Sequence, residues 1–158
     1  MTTEPDPSFI PAMLRGARGA YATVIAARLT AAGFDDLPRN GPFVLGGMAN
    51  HGDSVVDLIR GLGVSRQAAS QLIDVLVLRG YLDRQVNPDD RRRLDITLTD
   101  RGRAAAAVIR AAVEDVHRQL AAAITPAELD GLLAGLAALA AIKRSTEASS
   151  QPAEEPAP

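Results

Sequence analysis

The sequence predicts a mainly α-helical fold with a small β-hairpin, and three observations carry that prediction. Apolar residues recur at three- and four-residue spacing over long stretches near both ends of the 158-residue chain. In the middle, two short helical segments flank the breaker Gly61-Leu62-Gly63-Val64. Two alternating segments then bracket the turn Asn87-Pro88-Asp89-Asp90-Arg91-Arg92-Arg93.

Taken in order, Met1 to Pro7 is polar and carries two prolines, which predicts disorder over residues 1–7. Phe9, Ile10, Met13, Leu14, Ala17, Tyr21, Val24, Ile25 and Leu29 mark an amphipathic helix from Ser8 to Ala32, stopped by Gly33. Asp35 to Pro42 reads as a loop, and Phe43 to Asn50 as a short helix weakened by Gly46 and Gly47. Ser54-Val55-Val56-Asp57 has the form of a capping box opening a helix to Arg60. Ser65 caps the next helix, which runs to Arg79 with Gly80 as its stop. Ala69, Leu72, Ile73 and Leu76 form its apolar stripe, leaving Gln67, Ser70, Gln71 and Asp74 on the other side.

Tyr81 to Val86 and Leu94 to Leu98 read as the two strands of a hairpin, and a hairpin directly after a helix-turn-helix is the arrangement of a winged helix. Thr99 caps a helix whose stripe is Val108, Ile109, Ala112, Val113, Val116, Leu120 and Ile124. Thr125-Pro126-Ala127-Glu128 combines a capping box with proline at the first helical position, opening a last helix through Lys143. The tail from Ser145 to Pro158 has no large apolar residue and is expected to be disordered. One domain over residues 8–144 follows, with a winged helix-turn-helix lobe at 38–99 between helical segments at 8–35 and 100–144. The stripes on those outer helices exceed what a lobe of about sixty residues covers, so they are expected to form a shared homodimer core.

Charge narrows the function. Residues 1–59 carry 4 Arg against 6 acids, 60–110 carry 10 Arg against 6 acids, and 111–158 carry 3 basic groups against 7 acids, giving −2, +4 and −4. A basic middle between acidic ends suits a polyanionic partner for the winged segment. The absence of Cys removes disulfides, thiolate metal sites and thiol redox sensing, and two distant His leave no zinc centre, so neither metal nor cofactor is expected. No signal peptide or membrane-spanning run is legible, and a cytoplasmic location is expected. His51, Asp53 and Ser54 are sequence neighbours at a helix start and cannot form a catalytic triad, and no phosphate loop or nucleophile elbow occurs. An enzyme is not expected.

Leu62-Gly63-Val64-Ser65, Ser70-Gln71-Leu72-Ile73-Asp74, Leu76, Arg79-Gly80-Tyr81, Asn87-Pro88-Asp89-Asp90-Arg91-Arg92 and Leu98-Thr99-Asp100-Arg101-Gly102 occur in that order. In this ordered set the sequence resembles the MarR family of winged-helix transcriptional regulators, from the first long helix through the last. The resemblance implies a homodimer, interlocked through N- and C-terminal helices, that presents two winged helices to a pseudo-palindromic double-stranded DNA site. It implies DNA contacts from Ser65, Arg66, Gln67, Ser70 and Gln71, since helix N-terminal amides suit phosphate, Gln pairs with adenine and Arg with guanine. In the wing it implies that Asp90 braces Arg92, while one of Arg91, Arg92 and Arg93 enters the minor groove. Val75, Val77 and Leu78 depart from the family, which more often carries charged residues there.

Family members commonly bind small aromatic or phenolic effectors between the dimer helices and the DNA-binding lobe. Met13, Arg15, Tyr21, Phe43, Met48, His51 and Val108 are the corresponding candidates here. The expected function is therefore a homodimeric DNA-binding repressor released by a small molecule. The alternative is a winged-helix dimer that acts through a protein partner without specific DNA binding, because the fold alone does not dictate function.

Overall fold

Proline at position 11 is tolerated in the first turn of a helix, where its missing N–H has no acceptor to lose. After a 3-10 turn at Pro7–Phe9, α1 accordingly spans Ile10–Ala31 in the computed structural model, which describes residues 7–51, 55, 58–59, 64–87 and 94–149. The helix starts later than the sequence predicts because Ser8 and Phe9 belong to that turn. It ends in a Schellman motif: Gly33 N–H donates to Thr30 O (3.1 Å) and Phe34 N–H to Leu29 O (2.9 Å), with Gly33 at φ +81°.

Helix α2 spans Gly41–His51. Its Gly47 packs closely against Leu58, whose side chain would have to move for any added Cβ, since that carbon would lie 2.3 Å from Leu58 Cδ2. Helical Val55, Leu58 and Ile59 are buried. The expected capping box at Ser54 and Asp57, the helix end at Arg60 and the Gly61–Gly63 breaker lie outside the described residues, as do residues 1–6 and 150–158.

Helix α3 spans Arg66–Leu78, with Ser65 as N-cap and Arg79 as C-cap. A second Schellman motif ends it, Gly80 N–H donating to Val77 O and Tyr81 N–H to Leu76 O, both at 2.9 Å, with Gly80 at φ +72°. Strand β1 is therefore Leu82–Val86, one residue shorter than expected, because Tyr81 completes the helix cap. It pairs antiparallel with β2, Leu94–Leu98, in the register Leu82↔Leu98, Arg84↔Ile96 and Val86↔Leu94. Asn87 Nδ2 donates to Asp95 Oδ2 (2.8 Å) across the hairpin.

Helix α4 spans Asp100–Ala123. Thr99 is its cap, the hydroxyl accepting from Gly102 N–H (3.0 Å) and donating to Gly80 O (2.6 Å). Gly102 is forced by a close approach, as an added Cβ would sit 2.1 Å from the Tyr81 carbonyl oxygen. Ala105, Ala106, Ile109 and Ala112 face the core formed by Leu29, Val44, Leu45, Val55, Ile59, Leu76, Tyr81 and Leu82. Small residues on α4 admit larger ones from the elements beside it.

The chain divides into two compact units, Met1–Val116 and His117–Pro158. The buried positions of α4 lie within Gly102–Ala112, all on the first unit. The second unit contains the end of α4 and helix α5, Pro126–Ser149. Thr125 and Glu128 close the expected capping box: Thr125 N–H and Oγ1 donate to Glu128 Oε2 (2.8 and 2.7 Å), and Glu128 N–H donates to Thr125 Oγ1 (3.3 Å). Those bonds hold the Glu128 carboxyl below its ordinary value. The helix passes the expected end at Lys143, and Ser145 to Ser149 are helical rather than disordered. Their hydroxyls bond back onto the preceding turn, Ser145 and Thr146 to Ile142 O (2.9 and 3.0 Å) and Ser149 to Ser145 O (2.9 Å). Leu132, Leu133, Leu136, Leu139 and Ile142 are between 40% and 62% exposed on this chain.

Opposite signs are expected for glycine substitutions in α4 and α5 measured by chemical denaturation. Gly102→Ala should cost about 2 kcal/mol or more, because the clash is with backbone. Gly131→Ala and Gly135→Ala, with open space at the added Cβ, should each stabilise α5 by roughly 0.5–1 kcal/mol through helix propensity. Glu128, whose folded-state pKa is depressed, stabilises α5 above its unfolded value of 4.5, and that contribution is lost as pH falls through the lower folded value. The thermal midpoints of the wild type and Glu128→Gln should differ at neutral pH and converge in acid.

Candidate nucleic-acid interface

The two faces of α3 are chemically distinct. Ala69, Leu72, Ile73, Leu76 and Val77 pack on the core, whereas Ser65, Arg66, Gln67, Ser70 and Gln71 are all exposed on the first turns. Ser65 is in extended backbone and its Oγ accepts from Ala68 N–H (3.2 Å), satisfying one of the first-turn donors that a helix cannot pair internally. Hydrogen-bonding side chains and unpaired amides at the positive end of a helix form a surface suited to an anion. Asp74, on the next turn, forms an ion pair with Arg84 of β1 and so ties α3 to the hairpin. Among the apolar residues that depart from the family pattern, Val77 joins the core and Leu78 is 85% exposed.

Asp90, Arg91, Arg92 and Arg93 lie outside the described residues. In sequence they fall between Val86 and Leu94, the last pair of the register.

Behind α3 a polar cluster joins four segments. The Tyr81 side chain is fully buried, and its hydroxyl donates to Asp36 Oδ1 (2.5 Å). Arg101 Nη2 donates to the same oxygen (2.9 Å) and Nη1 to Arg79 O (2.8 Å), while the guanidinium lies 4.5 Å from the centre of the Tyr81 ring. The Tyr81 bond, with Arg101 beside it, holds the Asp36 carboxyl below its usual value. Burial, with the Asp36 bond, pushes the Tyr81 phenol up to about 12. Sequence reasoning missed this cluster, whose members are 45 and 65 residues apart along the chain. Only Thr99-Asp100-Arg101-Gly102 carried a local signal of it.

The first unit also contains a cleft of about 700 Å3 between α1, the 34–40 loop, α2 and α4. Of the seven expected ligand residues, Tyr21 and Phe43 line it. Met13 and Arg15 are exposed on α1, Met48 and Val108 are half-buried against the core, and the His51 side chain lies outside the described residues. Arg18, Arg39, Asn40 and Asn50 supply polar lining that the sequence reading did not single out. Arg18 stands one helical turn before Tyr21, and that spacing was the available clue. Among the described residues no group of acidic, His or Cys side chains could hold a metal ion, and no helix is long and apolar enough to cross a membrane.

The sequence of residues 35–93 matches the MarR family. Streptococcus pneumoniae FabT, solved in complex with DNA, has the same fold, with a TM-score of 0.75 at 17% identity over 89% of this chain and 99% of that one. Apo MarR from E. coli gives a TM-score of 0.60 at 23% identity over 86% and 98% of the two chains. RV1404 from Mycobacterium tuberculosis gives 0.60 at 26% identity over 96% and 99%. No curated protein matches the sequence. The match spans α3 and its approach to the wing, the winged-helix fold continues through the flanking helices, and in residues 35–93 the chain is similar to the MarR family.

Proposed function

We propose that the protein is a sequence-specific DNA-binding transcriptional regulator, a homodimeric repressor released by a small molecule. The observation that carries this reading is the exposed first two turns of α3, where Ser65, Arg66, Gln67, Ser70 and Gln71 stand clear of the core beside a hairpin whose turn contains three consecutive Arg. A DNA-bound structure of the same fold supports it. In this reading Ser65 and the first-turn amides contact phosphate, and Arg66, Gln67, Ser70 and Gln71 meet base edges in the major groove. One of Arg91, Arg92 and Arg93 enters the adjacent minor groove, with Asp90 as the brace.

Exposed Phe9, Ile10, Met13 and Leu14 on one unit, and the leucine stripe of α5 on the other, supply the apolar surface for a homodimer. Two-fold symmetry would place the recognition helices about 34 Å apart on a pseudo-palindromic site. The cleft, with a largely apolar lining and a few polar groups, suits a small aromatic or phenolic effector. Its occupant lowers DNA affinity by favouring a state in which the half-sites are not matched.

Fluorescence-anisotropy titration against the DNA flanking the coding region, across a salt series, tests the reading. Specific binding should weaken steeply with salt, and Arg91→Ala/Arg92→Ala should weaken it while reducing the log–log slope by up to about 2. Gln71→Ala should relax base preference, at a cost of about 1–3 kcal/mol for one bidentate pair. Binding of a folded dimer that is absent, or insensitive to salt, would favour the protein-partner reading, to which the 85% exposed Leu78 beside the hairpin is suited. Sedimentation equilibrium should show a dimer that Leu132→Glu/Leu136→Glu shifts to monomer; a monomeric wild type removes the shared-core account.

A further inference from the structure

Asp36 lies in the loop after α1, yet its bonds run to the far side of the lobe. One oxygen, Oδ1, receives the Tyr81 hydroxyl and Arg101 Nη2, and through Arg101 it reaches the Arg79 carbonyl. Arg79 is the C-cap of α3, Tyr81 leads directly into β1, and Arg101 is in the first turn of α4. A single carboxylate thus gathers the end of α3, the root of the hairpin and the base of α4. The Arg101–Asp36 pair contributes little to stability, as its side chains are 42% and 38% exposed. What the geometry constrains is the angle between α3 and the hairpin, the two elements that must reach one duplex together.

The same loop has a second face. Phe34, Asp35, Leu37, Arg39 and Asn40, on either side of Asp36, form a wall of the cleft. A change in that wall is passed to the residue between them, because a loop bonded at its centre cannot shift on one face alone.

We propose that Asp36 is a positioning residue for DNA recognition, setting α3 and the hairpin relative to one another, and that the contents of the cleft alter DNA affinity through it. This rests on the DNA-binding reading above and adds the residue that carries the coupling. Simple electrostatics predicts the opposite outcome on substitution. Removing a carboxylate and freeing Arg101 makes the protein more positive, which by itself tightens association with DNA.

The test compares wild type with Asp36→Asn, Tyr81→Phe and the charge control Glu114→Gln, an exposed acid of α4 away from the cleft, using the same titration together with hydrogen exchange on the DNA-free protein. Asp36→Asn is expected to bind specific DNA about tenfold more weakly, within the ordinary range of coupling, with a thermal midpoint close to wild type. Glu114→Gln should bind as tightly as wild type or more so. Tyr81→Phe should weaken binding, and the double variant should lose less than the sum of the single losses. The Tyr81 and Thr99 amides, bonded to Leu76 O and Tyr81 O, should exchange faster in Asp36→Asn.

Filling the cleft tests the second half of the proposal. Gly46→Leu, or Ala22→Phe from the α1 side, should weaken DNA binding in the wild-type background and add little in the Asp36→Asn background. Gly46 has room for the first added carbon, its nearest neighbour being Ile109 Cγ2 at 3.5 Å.

Asp36→Asn binding as tightly as wild type, or unchanged exchange at Tyr81 and Thr99, overturns the positioning role. Equal losses on filling the cleft in both backgrounds overturn the coupling. Wild-type protein that binds no DNA sinks the functional reading instead, and the exchange comparison still decides whether Asp36 holds the root of the hairpin.

Discussion

Two helices in the lobe end in the same way, and the residue that each ending delivers to the core is aromatic. In a Schellman motif the glycine turns the chain left-handed and the next residue folds back over the last helical turn. After α1 that residue is Phe34, and after α3 it is Tyr81, with their ring centres 6.2 Å apart. Burial of the Tyr81 ring is the constraint on which the rest of the lobe depends. Its amide closes α3, its carbonyl receives Thr99 N–H at the start of α4, its hydroxyl holds the loop after α1, and its next residue begins the hairpin. Moving it would disturb four connections at once.

Such an arrangement separates duties between the two sides of α3. The inward side is apolar and committed to packing, so its position is set by close contacts that resist small displacements. The outward side is polar and makes few demands on the fold, and its residues are free to serve a partner. Charged groups on and around the helix form pairs: Asp74 holds Arg84, Asp36 holds Arg101, and Arg28 of α1 holds Asp115 of α4. These partly exposed pairs add little to stability, and their shared property is that each links different elements.

Much of the fold was legible because its signals are local. Ser65, Gly80, Thr99 and the Thr125 to Glu128 box mark helix ends through hydrogen bonds that span three or four residues, and the alternation of Leu94, Ile96 and Leu98 is read directly. The end of α5 was not legible, because Ser145, Thr146 and Ser149 have hydroxyls that suit a turn as readily as a back-bond to a helix carbonyl. The exposed residues of α3 follow from periodicity together with the cap. The cleft does not, since Arg18, Phe34, Arg39 and Asn50 come from different elements and no single stretch marks them as neighbours. Apolar positions such as Met48 and Val108 look the same in sequence whether they line a cavity or fill a core.

The paired glycines of α2 carry a consequence for how such a cleft can change over time. Each costs the helix roughly 1 kcal/mol relative to alanine, so their presence reflects a demand for space. That demand differs between them. Both line the cleft, but at Gly47 a side chain would have to displace Leu58, whereas Gly46 has only ordinary contact to Ile109. A lineage adapting this protein to smaller or larger molecules would find one freely adjustable position next to one that changes only if Leu58 repacks. Size selectivity could then drift by single substitutions at residue 46 while the helix that carries it, and the DNA-facing surface of α3, stayed in place.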